Sequence, residues 1–166
     1  FDVPGGVGFC NALRRTLLHD VRSTAPCRVT MHTNTSCQTD EFLAHRIGLI
    51  PFQRVGNGDT MRLRAEGPGA ATAAHFTGPA FDAVHPEIEI MQLGAGHALD
   101  LTVHFDEQPA GKHARYSMCA GVGMKVGTDA CRLTFSSIDG RPARTHLLEA
   151  LDHLDARTAR ALRALA

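Results

Sequence analysis

Near each end of the sequence, apolar residues recur every three or four positions, which is the spacing of one face of an α-helix. Residues 8–20 are expected to form the first helix, followed by a break at residues 23–26, with an apolar stripe made of Cys10, Leu13, Leu17 and Val21. The longest predicted helix has Pro142 in its first turn and runs to Ala166, with a stripe made of Leu147, Leu151, Leu154, Thr158, Leu162 and Leu165. Each stripe covers one side only, so each helix needs a surface to pack against.

Between these two helices, apolar and polar residues mostly alternate, which predicts β-strands with one buried face. Such alternation is expected to form strands at residues 27–33, 61–66, 87–90, 99–105, 116–126 and 131–135. A short helix from Glu41 to Ile47, ended by Gly48, interrupts the strands, and the Gly-, Pro- and Ala-rich residues 67–80 are expected to form a loop. Because alternation is typical of antiparallel sheets, the predicted fold class is α+β.

The net charge of zero conceals an uneven distribution along the chain. The balance of Lys and Arg against Asp and Glu is +3 over residues 1–64, −5 over residues 65–130 and +2 over residues 131–166. This pattern is expected if the two ends form one unit and the middle forms another. Neither end is basic enough to hold a nucleic-acid backbone unaided. The 15 Arg against two Lys favour protein interfaces, or else reflect a GC-rich genome.

Length and cysteine usage narrow the class of protein. A chain of 166 residues forms one domain or two small ones, and no apolar run approaches the roughly 20 residues that span a bilayer. The five cysteines are odd in number, scattered and never arranged as C-x-x-C. Free thiols in a reducing compartment explain this better than disulfides do. We therefore expect an intracellular protein, located in the nucleus, the cytoplasm or a virion according to its origin, with no membrane association.

Few residues have the pattern of a catalytic or metal site. Cys27, His32 and Cys37 have a ligand-like spacing, but the first two lie on opposite faces of one predicted strand, and zinc usually takes four ligands from close pairs. The glycines of residues 5–8 precede a helix as in a phosphate-binding loop, yet no Lys-Ser or Lys-Thr follows them. No Gly-x-Ser-x-Gly elbow supports Ser36 as a nucleophile. We expect no metal, no cofactor and no catalytic residue. The alternative is a free-standing ligand-binding protein or small enzyme that uses the glycine loop and the ten histidines.

Two stretches are far more specific than these features. The first is Asn-Ala-Leu-Arg-Arg-Thr-Leu-Leu at residues 11–18, and the second comprises Asn-Thr-Ser at residues 34–36 followed by residues 40–51. In this order and spacing they closely resemble the alpha-like assembly subunit of archaeal and eukaryotic multisubunit RNA polymerases. Residues 113–117 resemble a further signature of that family, and residues 135–140 resemble its returning strand imperfectly. The signature positions are Asn11, Asn34, Asp40, Glu41, His45, Arg46, Gly48, Leu49 and Pro51.

The resemblance implies a split dimerisation domain, made of residues 1–31 and 125–166, with two packing helices on a small sheet. It also implies an inserted, mostly antiparallel β domain of residues 32–124. The protein would be a non-catalytic assembly subunit that forms a heterodimer with a smaller alpha-like subunit. Its expected interface consists of Cys10, Leu13, Leu17, Leu147, Leu151, Leu154, Leu162 and Leu165.

The same resemblance assigns a second surface to the first helix. Arg14 and Arg15 are expected to dock the second-largest polymerase subunit, with Arg15 making the contact. The largest polymerase subunit is also expected as a partner, and nucleic acid would be reached only indirectly, through the assembled complex.

The sequence also departs from the family. Many eukaryotic relatives carry a cysteine-rich zinc loop after the Gly-Leu-Ile-Pro turn, and some archaeal relatives carry an iron–sulfur domain, but residues 52–66 contain no cysteine. This departure again predicts that no metal is bound. The inserted domain is short, which suggests a compact version such as a virus encodes. The opening strand of the family is expected to be missing before Phe1, either because it lies outside residues 1–166 or because it is truncated.

Overall fold

The computed structural model describes residues 1–127 and 130–165. In chain order, its elements are β1 (Asp2–Pro4), α1 (Val7–His19), β2 (Arg22–Asn34), α2 (Asp40–Gly48), β3 (Phe52–Arg54), β4 (Thr60–Glu66), β5 (Gly69–Thr72), β6 (Phe76–Thr77), β7 (Phe81–Ala83), β8 (Glu89–Leu93), β9 (Ala98–Pro109), β10 (Cys119–Val126), β11 (Ala130–Ser137) and α3 (Ala143–Leu165). The predicted α+β class with mostly antiparallel pairing is confirmed.

The chain divides into two compact units. The terminal unit combines Phe1–Ser23 with Pro109–Ala166, and the central unit is Thr24–Gln108. Residues 24–31 therefore lie with the central unit and residues 109–124 with the terminal unit. Both boundaries between the two units lie earlier in the chain than the boundaries predicted from the sequence.

The terminal unit is a three-stranded sheet, in the order β1-β11-β10, with α1 and α3 packed on it. Val3 of β1 lies opposite Cys131 of β11, and the β10–β11 register shifts at a bulge between Ala120 and Gly123. The apolar stripe of α1 packs against the sheet and against α3. The resulting core consists of Val3, Cys10, Leu13, Leu17, Val21, Met118, Cys119, Cys131, Leu133 and Ala150.

The central unit is built on a four-stranded sheet in the order β2-β9-β4-β6. β4 and β9 are antiparallel, with Leu63 opposite Leu101, so alternate residues of both strands point into one core as the sequence predicts. Two further pairs, β3-β7 and β5-β8, complete the unit. The rings of Phe52 and Phe81 both pack on Phe105, with centroids 5.1 Å and 4.0 Å away.

The strand expected at residues 116–126 starts later than predicted. The chain forms a short 3₁₀ turn at Ala114–Tyr116, and β10 begins only at Cys119. Tyr116 is buried, and the hydroxyl of Ser23 donates to its carbonyl oxygen over 2.9 Å. Tyr116 and Met118 are both buried before β10 begins and continue its alternating apolar pattern, which is why the pattern overestimates the strand.

Residues 67–80 are not a plain loop, because they contain two short strands. β5 pairs with β8 and β6 pairs with β4. Strands of four and two residues are too short to show a period in the sequence. For the same reason the prediction missed β1, whose three residues lie just before the glycine-rich residues 5–8.

One face of β2 was expected to be buried, but in the structure this face is only partly buried. Val29 and Met31 pack against the central core. Cys27 is exposed, and its thiol donates to the carbonyl oxygen of His104 over 3.3 Å.

Within residues 1–127 and 130–165, none of the helices combines the length and the hydropathy that crossing a bilayer requires.

Candidate partner interface

The signature residue Asn34 organises the turn between β2 and α2. Its side-chain amide donates to the carbonyl oxygen of Gln38 over 2.9 Å and to Oδ1 of Asp40 over 2.7 Å. Its own Oδ1 accepts from the backbone N–H and the hydroxyl of Ser36 over 3.0 Å and 2.6 Å. Thr39 then caps α2, since its hydroxyl accepts from the N–H of Phe42. This part of the signature fixes a backbone shape.

The remaining signature residues form a mixed surface on α2. Glu41 and His45 are exposed, Gly48 is buried and Pro51 is half-buried. Arg46 donates from Nη2 to the carbonyl oxygen of Glu89 over 2.7 Å. The exposed members of this set lie on the outside of the central unit.

The exposed apolar residues beside Arg46 make this surface suitable for a protein contact. The guanidinium of Arg46 lies 5.9 Å from the ring centroid of Phe42, which is itself exposed. Leu49 is 50% exposed and lines a shallow cavity of about 220 Å³ together with Ile50 and Ile88.

In the terminal unit, the predicted interface residues of α1 lie in the core. Cys10, Leu13 and Leu17 are at most 1% exposed, so they are not available to a partner in this conformation. These three residues hold α1 on the sheet. They thereby fix the direction in which the residues on the outer side of α1 point.

That outer side carries the two arginines. Arg14 is half-buried and donates from Nε and Nη2 to Oδ1 of Asn11 over 3.1 Å and 3.0 Å. The signature residue Asn11 therefore clamps the first arginine. Arg15 is exposed, and no described residue pairs with its guanidinium.

The predicted stripe of α3 divides into two parts. Leu147, Leu151 and Leu154 are half-buried and pack against the core of the terminal unit. Further along the same helix, Leu162 and Leu165 are 69% and 86% exposed. The distal part of α3 thus extends beyond the core and presents leucines to solvent.

A cavity of about 710 Å³, here called the α1–α3 groove, lies where the two helices meet. Its walls include Arg14, Arg15, Leu18, Asp20, Leu154 and Arg157. Nη1 of Arg157 lies 3.4 Å from Oδ2 of Asp20, and both side chains are substantially exposed. The groove therefore combines apolar side chains with guanidinium groups.

Sequence reasoning missed a buried polar cluster in the turn from β11 to α3. His146 is fully buried, and its Nε2 lies 2.9 Å from Oδ1 of Asp139 and 3.1 Å from the hydroxyl of Ser137. Arg141 donates to Asp139 over 2.6 Å and to Glu149 over 2.6 Å. The sequence feature that could have indicated this cluster is the spacing of His146 and Glu149, which makes them neighbours on one helix face.

Opposing effects act on Asp139. Burial alone would raise the pKa of its carboxyl, but hydrogen bonds and charge from His146 and Arg141 outweigh burial, and the net pKa is lowered.

The cluster is not a serine-type catalytic triad. Ser137 and Asp139 meet the same ring nitrogen of His146, whereas a triad uses one ring nitrogen for each partner.

The residues considered for metal binding are placed apart. The ring of His32 bonds through Nε2 to the hydroxyl of Thr102 over 2.8 Å, while the thiol of Cys27 bonds to a carbonyl oxygen. Across the described parts of the chain, no three His, Cys, Asp or Glu side chains come together as ligands. The absence of a bound metal stays a prediction.

No protein-family model matches the chain. Among curated proteins, it is similar to the DNA-directed RNA polymerase subunit Rpo3 of Methanocaldococcus jannaschii, with 26% identity over 91% of this chain and 81% of that subunit. Rpo3 of Pyrococcus furiosus is 32% identical over 66% of this chain and 48% of its own length. The DNA-directed RNA polymerases I and III subunit RPAC1 of Bos taurus is 29% identical over 78% of this chain and 51% of its own length. The chain thus spans about half the length of these last two relatives.

Proposed function

The chain belongs to the family of alpha-like RNA polymerase subunits that includes Rpo3 and RPAC1, and from this premise we propose that it is a non-catalytic assembly subunit of a DNA-directed RNA polymerase. The observation that carries the proposal is the surface of the terminal unit. Two helices held by one core present arginines on α1 and exposed leucines on the distal part of α3. Apolar residues combined with arginines are typical of protein interfaces.

The proposed pairing surface for a smaller alpha-like subunit is the apolar stripe of α3, chiefly where the helix extends beyond the core. Full burial of a leucine is worth roughly 1.5–3 kcal/mol, so Leu162 and Leu165 together would contribute about 3–6 kcal/mol. Association costs roughly 4–15 kcal/mol. The pairing therefore also needs the exposed edges of Leu147 and Leu151. Cys10, Leu13 and Leu17 support it only indirectly, by holding α1 in place.

Arg15 is the proposed contact with the second-largest polymerase subunit. Its exposed guanidinium offers several N–H donors to a carboxylate or to backbone carbonyl oxygens. A helix-surface arginine without a function often pairs with an acidic residue four positions on, but that position here is His19. The largest polymerase subunit is a further proposed partner, and nucleic acid would be contacted only through the complex, in whichever compartment or virion holds that polymerase.

Pull-down of the second-largest subunit by preformed heterodimers tests this function. We expect Arg15→Ala to leave the heterodimer intact and to weaken capture by about 1.5–3 kcal/mol, the worth of a charge-assisted hydrogen bond. Arg144→Ala, which removes an exposed arginine from the first turn of α3, is the matched control and should capture normally. Equal capture by all three proteins would remove Arg15 from the docking surface. Failure of the wild-type chain to pair with a smaller alpha-like subunit would contradict the function itself.

A further inference from the structure

The α1–α3 groove is more basic than the docking of Arg15 alone requires. It continues into a cavity of about 240 Å³ that shares Asp20 and Arg157 with it and is also lined by Arg22 and Arg160. Among the described residues that line the two cavities, five are arginines and only Asp20 carries a carboxylate. This excess of arginines makes the groove electropositive, which favours a ligand with negative charge.

We propose that this continuous groove binds an acidic, leucine-containing segment of the second-largest polymerase subunit. The inference rests on the proposed function, because it specifies what the docked subunit inserts beside Arg15. It extends the docking surface from α1 across to Arg157 and Arg160 of α3.

Arg157 is the residue best placed to receive a carboxylate. Its side chain is 71% exposed, and its contact with Asp20 at 3.4 Å engages one of the five N–H donors of the guanidinium. Asp20 is the C-cap of α1, where the helix dipole disfavours a carboxylate, so Arg157 already compensates an unfavourable charge. The remaining donors can bind a second carboxylate, and Arg160 lies on the same wall of the groove.

The groove also requires apolar atoms in the segment. Leu18 is 39% exposed, and Leu154 is half-buried beside it in the same cavity. A leucine between the acidic residues would cover these two side chains and displace water from them. An acidic segment without leucine would leave this apolar surface open.

A nucleic-acid backbone fits the groove less well than a peptide does. Phosphate recognition needs clustered cations along an extended surface and gains nothing from an apolar floor. The exposed Asp152 and Asp155 on α3 would repel an extended polyanion. A short peptide with charges only where the arginines lie avoids that repulsion.

The test uses overlapping synthetic peptides that cover the second-largest subunit of the same polymerase, probed with the full chain. The best peptide is then measured by fluorescence anisotropy, beside a version with Gln and Asn for its acidic residues and beside a single-stranded oligonucleotide. The variants are Arg157→Glu, the milder Arg157→Gln, and Arg144→Glu as a control on α3 outside the groove. Circular dichroism verifies that each variant is folded.

We expect the bound peptides to be acidic and to contain leucine. Arg157→Glu should weaken binding about tenfold or more, which corresponds to about 1.4 kcal/mol. Arg157→Gln should have a smaller effect, and Arg144→Glu none. No bound peptide, equal binding of the neutral version, unchanged affinity of both Arg157 variants, or displacement of the peptide by the oligonucleotide would each overturn the proposal. Capture of the intact second-largest subunit is measured in parallel, so a groove that binds no peptide is distinguished from a chain that does not dock at all.

Discussion

At the scale of single residues, the cluster around His146 shows how a charged site can be buried without instability. Asp139, Arg141, His146 and Glu149 satisfy one another, and no buried side-chain polar atom of the described residues lacks a hydrogen-bond partner. The cluster joins the end of β11 to the first turns of α3. It therefore fixes where the longest helix of the chain starts.

Asp139→Asn should lower the free energy of unfolding at neutral pH by about 1.5–3 kcal/mol, since it removes the charge from hydrogen bonds to His146 and Arg141. The pKa of Asp139 is lowered in the folded state, so its contribution is complete above the pKa of an unfolded aspartate, about 3.9, and is lost as the pH falls below it. The difference between wild type and variant in urea unfolding should accordingly shrink between pH 7 and pH 3. Asp152→Asn, on the exposed side of α3, is the control. A difference that does not change with pH would mean that Asp139 is not held as a carboxylate by the cluster.

At the scale of elements, α3 has two different tasks along its length. Its first half packs on the core, and its distal half has exposed leucines. Charges introduced at Leu147 or Leu151 would therefore disturb folding as well as pairing. Substitutions at the exposed Leu162 and Leu165 can separate an effect on pairing from an effect on folding.

Leu162→Asp combined with Leu165→Asp should abolish pairing with a smaller alpha-like subunit while leaving the thermal unfolding of the chain nearly unchanged. The reason is that both positions are exposed in the single chain but would bury unpaired charges in the complex. Size-exclusion chromatography with the partner measures the pairing. Ala156→Asp adds the same charge at an exposed position of this helix and should pair normally. Co-elution of the double variant at full stoichiometry would show that the distal helix is not the pairing surface.

The sequence predicts the long, periodic elements well because their burial follows their period. α1, α2, α3, β4 and β9 all lie where the pattern places them. Periodicity says that Leu13 and Leu162 both lie on apolar stripes, but it does not say that Leu13 is covered by its own sheet and that Leu162 is not. Very short strands such as β1 have no readable period. Polar contacts between separate elements, such as Ser137 with His146, depend on three-dimensional placement.

At the scale of the whole molecule, the recognition of an alpha-like polymerase subunit is confirmed by the curated relatives. It came from the order and spacing of two motifs, and the structure gives a reason for part of that specificity. Asn34 both donates and accepts through its side-chain amide, which an aspartate, having no N–H, cannot reproduce. The partners themselves lie outside a single chain and stay proposals.

Purified protein should contain substoichiometric zinc and iron by elemental analysis. Structural zinc needs four ligands, usually from closely spaced pairs, and residues 52–66 contain no cysteine. A sample incubated with excess zinc and then desalted serves as the control for weak surface binding by the ten histidines. One zinc per chain that the purified protein still holds after desalting would contradict the prediction.

The division of the chain into a contiguous central unit and a split terminal unit has a consequence for biosynthesis. On the ribosome, the central unit is complete once Gln108 has emerged, and its strands can pair at that stage. α1 is made before the central unit, yet its stripe stays uncovered until β11 and α3 are synthesised. The first helix is therefore without its sheet while the whole central unit is made, and in that interval Leu13 and Leu17 are open to chaperones that bind exposed apolar segments.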